Sequence, residues 1–237
     1  MRKAPYRYAG SPEEYENLLF AYAAGQLNET LSLMVATHIR FCENAQNLVA
    51  QMEHVGGALL EAHCPKTELS ESCFDALMGK IEAFEKQGPY APDTSCRCPK
   101  TNQAIACLKP HDYGDELIAY LIRSLPTARE DMAAKGLHIL HIGAAEDQPQ
   151  AEITYVTAEI DCYTQRAANE GLEITLILDG EMEDNGVTYP RGALLVADAS
   201  IQHHQRATGK CRYTCLVFSE HPARILSLLI TLLNLML

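Results

Sequence analysis

The 237-residue chain is 47% apolar and 21% charged, the balance of a folded globular protein rather than a disordered one. Nineteen Lys and Arg against 31 Asp and Glu leave a formal charge of −12. That gives direct nucleic-acid binding no basic face and suits a basic protein partner. No run approaches the ~20 apolar residues of a spanning helix, and Met1-Arg2-Lys3-Ala4-Pro5 opens no export signal. The expectation is a cytoplasmic protein with reduced thiols, and nine cysteines, an odd number, do not suit a closed disulfide framework.

Residues 10–87 read as a helical domain. Ser11-Pro12-Glu13-Glu14 is a helix start, with Ser11 as cap, Pro12 at the first helical position and Glu14 closing a capping box. Leu18, Leu19 and Tyr22 follow at helical spacing, and Gly25 ends the helix. Asn28 caps a second helix with Leu31, Val35, His38, Ile39 and Cys42 on one stripe. A third carries Leu48, Met52, Val55 and Leu59, and a fourth, near 70–86, carries Cys73, Leu77, Ile81 and Phe84. Short amphipathic helices with tight loops predict a small bundle.

Residues 88–112 are punctuated by Gly88-Pro89, Ala91-Pro92-Asp93, Cys98-Pro99 and Lys109-Pro110 and read as a linker. Residues 113–222 read as a β domain. Strands are expected at Leu137–Ile142, Glu152–Ile160, Glu173–Leu178, Ala193–Val196 and Tyr213–Phe218. Asp179-Gly180, Asp184-Asn185-Gly186, Pro190-Arg191-Gly192 and Thr208-Gly209-Lys210 supply the turns, which predicts an antiparallel jelly-roll barrel. The apolar tail 223–237 reads as a helix that packs on the barrel or on another chain, and under the alternative functions it marks a homo-oligomer interface or a membrane-surface contact.

His38 and Cys42 lie four apart, a spacing that fits two zinc ligands on one helix face or a core stripe with a polar member. More specific is the order of Tyr22-Ala23-Ala24-Gly25, then Leu33-Met34-Val35-Ala36-Thr37-His38-Ile39 with Cys42, then Gly56-Gly57-Ala58-Leu59-Leu60-Glu61. These segments resemble the ChrR-type anti-sigma factors, which join a zinc-binding anti-sigma domain to a cupin domain. The resemblance implies a zinc site of His-x3-Cys-x2-Cys plus an upstream His. Here His38 and Cys42 match, Ala45 replaces the second Cys, and Glu13 stands where the upstream His falls. Glu13 can offer an oxygen ligand, and His63 or Cys64 a compensating one. The other expectation is a domain that folds without metal.

The resemblance continues through Gly171–Gly180 and Gly192–His203, which are similar to the two cupin motifs. Glu173 and His203 occupy two of the four ligand positions, while Ala167 and Asn169 occupy the His-x-His pair. An empty barrel site is expected, with His203 as the partner of Glu173.

Function follows from the same resemblance. It implies a protein that sequesters an extracytoplasmic-function-type sigma factor through its helical half. Phe74, Leu77, Met78 and Ile81 are the candidate partner surface, or else bundle core. The cupin half would sense singlet oxygen or peroxide. No Ser-His-Asp set, P-loop or dinucleotide loop is present, so no enzyme is expected. The alternatives are a small-molecule-binding cupin or cupin enzyme with an oligomerising helical half, and a protein that binds some other partner. Cys96, Cys98, Cys107, Cys162, Cys211 and Cys215 are redox-sensing thiols or buried, idle ones.

Overall fold

The structure is a computed structural model that describes residues 12–63, 70–86, 113, 115–124, 128–134, 136–145, 148–160, 163–166, 171–197, 203–208 and 212–220. Ser11, the linker 88–112, Ala167, Asn169 and the tail 223–237 lie outside the described residues, as do Cys64, Cys96, Cys98, Cys107, Cys162 and Cys211.

Helix α1 (Pro12–Ala23) ends as the sequence leads one to expect. Gly25 takes a positive φ of 67°, its N–H reaches Tyr22 O and the Gln26 N–H reaches Ala21 O, so two otherwise orphaned carbonyls are satisfied. Helix α2 (Glu29–Phe41) is capped by Asn28, whose side chain accepts from the Leu31 N–H at 2.9 Å. Cys42 is extended, and the chain restarts as α3 (Glu43–Ala62). Helices α4 (Glu71–Lys86) and α5 (Asp115–Ser124) follow.

The bundle differs from expectation in its fourth member. Every described side chain of α4 is exposed. The place against α2 is taken by α5, where the Tyr120 hydroxyl meets Thr30 Oγ1 at 3.1 Å and Leu117 and Leu121 are fully buried. The stripe of α3 is likewise split. Ala45 and Val49 are buried, but Val55 and Leu59 are exposed. An amphipathic face is buried only where another surface reaches it, and nothing described in this chain covers these two stretches.

Ten strands follow among the described residues: β1 (Arg129–Ala134), β2 (Leu137–Ala145), β3 (Gln148–Ala158), β4 (Tyr163–Arg166), β5 (Glu173–Asp179), β6 (Glu181–Asp184), β7 (Val187–Pro190), β8 (Leu194–Ala197), β9 (His203–Ala207) and β10 (Tyr213–Ser219). They form a six-stranded sheet, β1-β2-β3-β10-β5-β8, and a four-stranded sheet, β4-β9-β6-β7, with antiparallel pairing throughout. Asn185 and Gly186 both take positive φ between β6 and β7, the signature of a tight hairpin turn.

In the larger sheet the described residues of β3, β10, β5 and β8 are largely buried on both faces. Ile139, Val156, Ile177, Leu195 and Val217 face Met182, Tyr189 and Ala207 of the smaller sheet and fill the barrel. On the other side Ile153, Ile174, Leu176, Val196 and Phe218 join Leu19, Met34, Val35, Leu117 and Leu121 in one core with the helices. Strands β5 and β10 therefore read as continuous apolar runs rather than alternating ones.

Candidate functional site

His38 is 1% exposed and both of its ring nitrogens are engaged. Nδ1 lies 2.7 Å from Gly192 O, and Nε2 lies 2.7 Å from the Tyr15 hydroxyl. A carbonyl oxygen can only accept, so Nδ1 carries the proton and donates it to Gly192. Burial holds the His38 pKa below its ordinary value, opposed in part by the Gly192 bond. The neutral ring then keeps a lone pair on Nε2, which accepts from the Tyr15 O–H. The Tyr15 ring also meets the imidazole edge-on, with centroids 5.7 Å apart.

Gly192 belongs to the turn between β7 and β8, closed by the Ala193 N–H on Pro190 O. Its φ is +81°, which favours glycine at the third turn residue. A Cβ at this position would lie 2.5 Å from Cβ and Cγ of Phe41, so the α2 aromatic rests directly on the turn backbone. Beside it the Arg191 guanidinium sits 4.7 Å from the Phe41 ring centre and 4.9 Å from that of Tyr113. A turn of the β half is thus seated between α2 and the segment leading into α5. Burial and the nearby Asp179 raise the Tyr113 pKa, more than Arg191 offsets, so its hydroxyl stays protonated.

Among the described residues, the other expected ligands do not gather around His38. Cys42 is buried, but it sits at the break between α2 and α3 with extended backbone, not within a helix as the spacing implied. Glu13 is exposed on α1, Ala45 is buried core on α3, and His63 is exposed at the far end of α3. Among the described residues no group of three or more His, Cys, Asp or Glu is placed to hold a metal ion. A zinc ion needs a ring-nitrogen lone pair at ~2.0–2.1 Å, and the Tyr15 hydroxyl already occupies that direction. The described residues do not fit the helical zinc site of the resembled family.

In the barrel, Glu173 is buried and shares the inner side of β5 with Ile177. Ser219, opposite it on β10, donates to its Oε2 at 3.4 Å. Next along the same sheet His141 pairs with Glu152. His203 begins β9 on the facing sheet, opposite Arg166 of β4, and its side chain lies outside the described residues. Cys215 is buried in the barrel core, whereas Cys73 is exposed on α4.

The four apolar residues singled out on the fourth helix are brought together on one exposed face. Phe74 is 68% exposed and Leu77 56%, with Met78 and Ile81 beside them. Val55, Leu59 and Leu60 add an exposed apolar stretch at the end of α3. Sequence reasoning missed Tyr15, Phe41, Tyr113 and the role of Gly192. The Pro-Arg-Gly turn was a signal for the last of these, but nothing local links it to a helix 154 residues away.

No family model matches the chain. Over 214 residues it is 27% identical to the anti-sigma-E factor ChrR of Cereibacter sphaeroides, covering 90% of this chain and 91% of the relative. The resemblance to the ChrR-type anti-sigma factors holds across both halves. The fold matches the crystal structure of Rhodobacter sphaeroides SigE in complex with the anti-sigma ChrR, with a TM-score of 0.62, 24% identity, and coverage of 90% of this chain and 98% of that one. The match shows the same architecture, a helical half followed by a β half of two facing antiparallel sheets. A hydroxypropylphosphonic acid epoxidase from S. wedmorenis overlaps 40% of this chain and 56% of its own, at 14% identity and a TM-score of 0.36.

Proposed function

We propose that this protein is an anti-sigma factor that sequesters a sigma factor through its helical half. The observation that carries the reading is the apolar row Phe74, Leu77, Met78 and Ile81, exposed on α4 in a chain similar along nine-tenths of its length to an anti-sigma factor. A monomer gains nothing by leaving these four side chains in water, whereas a partner helix would bury them. The formal charge of −12 favours encounter with a basic partner such as an extracytoplasmic-function-type sigma factor.

The barrel is the receiver of a signal rather than a catalyst, and oxidative stress is the signal class we assign to it. It shares a continuous core with α1, α2 and α5, so a change in the barrel has a packed route to the helices. A signal that favours a different seating of the two halves would lower affinity for the sigma factor and release it. No described helix is long and apolar enough to cross a membrane, in keeping with action in the cytoplasm. Affinity capture of the tagged chain from its own cells, read by mass spectrometry, should recover a sigma factor in near-equal amount. Capture without any sigma factor, under both resting and oxidising conditions, would overturn the proposal in favour of the alternative, a barrel that binds a small molecule.

A further inference from the structure

We infer that His38 serves this chain as a metal-free peg between its two halves, the Tyr15–His38–Gly192 hydrogen bonds standing where the resembled family holds zinc. The inference does not depend on the identity of the partner.

The geometry carries it in three ways. First, both imidazole nitrogens are spent at 2.7 Å, one on α1 and one on the β7–β8 turn, so the ring joins three elements at once. A neutral imidazole offers one donor and one acceptor on opposite sides of a rigid ring, which is what a hydroxyl on one side and a carbonyl on the other require. Second, the receiving carbonyl is held in place. Gly192 also donates to Ile177 O at 2.8 Å, Phe41 lies against the site of its missing side chain, and Arg191 stacks between Phe41 and Tyr113. Third, the described alternative ligands are placed elsewhere: Glu13 and His63 are exposed, Ala45 has no ligating atom, and Cys42 sits at the non-helical junction. A zinc site would tie helices to one another, whereas this peg ties α1 and α2 to the barrel. Motion of the β7–β8 turn is therefore felt at α1 directly.

The test uses the full chain. Purified protein should contain well under one zinc per chain, and neither EDTA nor added zinc should move its Tm. The ring-nitrogen NMR signals of His38 should report a neutral ring protonated on Nδ1. Tyr15→Phe keeps the aromatic ring and removes only the donor, so it should fold and lower Tm by about 2–4 °C. Amide hydrogen exchange should then quicken both in α1 and in the β7–β8 turn. His38→Gln, if it folds, should do the same more strongly. About one zinc per chain whose removal lowers Tm would overturn the proposal, as would a Tm rise on adding zinc. So would a Tyr15→Phe effect confined to α1 with the β7–β8 turn unchanged.

Discussion

Helices α2 and α4 carry apolar stripes of similar spacing and meet opposite fates. In α2, Leu31, Met34 and Val35 are buried against the helices and the outer face of the large sheet. In α4, Phe74, Leu77, Met78 and Ile81 stay exposed. Periodicity tells that a face is built to be covered, and composition tells how strongly, but neither tells what covers it. In α2 the cover is this chain. In α4 we assign it to another protein.

The difference can be put to measurement. Met34→Ala removes a fully buried side chain and should cost about 2–5 kcal/mol in urea unfolding. Gly192→Ala should cost about 2–4 kcal/mol, because the turn holds φ at +81°, which a residue with a Cβ disfavours, and the new Cβ meets Phe41. Asn28→Ala should cost about 1 kcal/mol through loss of the α2 cap.

Acidification should act next in size. Burial lowers the His38 pKa from 6.5, so the unfolded chain binds the proton first. The contribution is intact above pH 6.5 and is lost as pH falls through and below that value, by less than about 1 kcal/mol at pH 6. His38→Gln should remove that part of the slope. The smallest effect belongs to α4. Leu77→Ala should leave unfolding within about 0.5 kcal/mol of wild type. A loss there as large as that of Met34→Ala would mean that α4 is core after all, and the contrast would fail.

Much of the fold was legible because its signals are local. Gly25, Asn28 and the Asn185-Gly186 pair each demand a particular backbone, and each sits where that backbone is found. All five expected strands are present as β2, β3, β5, β8 and β10, the strands whose apolar runs line the large sheet. Strands β1, β4, β6, β7 and β9 are not expected from the sequence: Arg129–Ala134, Glu181–Asp184 and His203–Ala207 have little β-branched content, and Tyr163–Arg166 and Val187–Pro190 are only four residues long. Helix α5 was missed although Leu117, Tyr120 and Leu121 keep helical spacing, because the Pro-punctuated stretch before it reads as linker.

The site was legible only in part. His38 and the α4 residues could be picked out by spacing and resemblance. What His38 binds could not, because its partners lie 23 residues upstream and 154 downstream, and only packing brings them together.

The decisive measurement is a titration of the captured sigma factor with the full chain and with Leu77→Asp, alongside their Tm values. Wild type should bind one to one and block sigma-dependent transcription. Leu77→Asp should keep its Tm and bind at least ~30-fold more weakly, as expected when an interface anchor worth ~2 kcal/mol is lost. Equal binding by the two proteins, or no binding by either, would contradict the assignment of α4 as the surface that holds the partner.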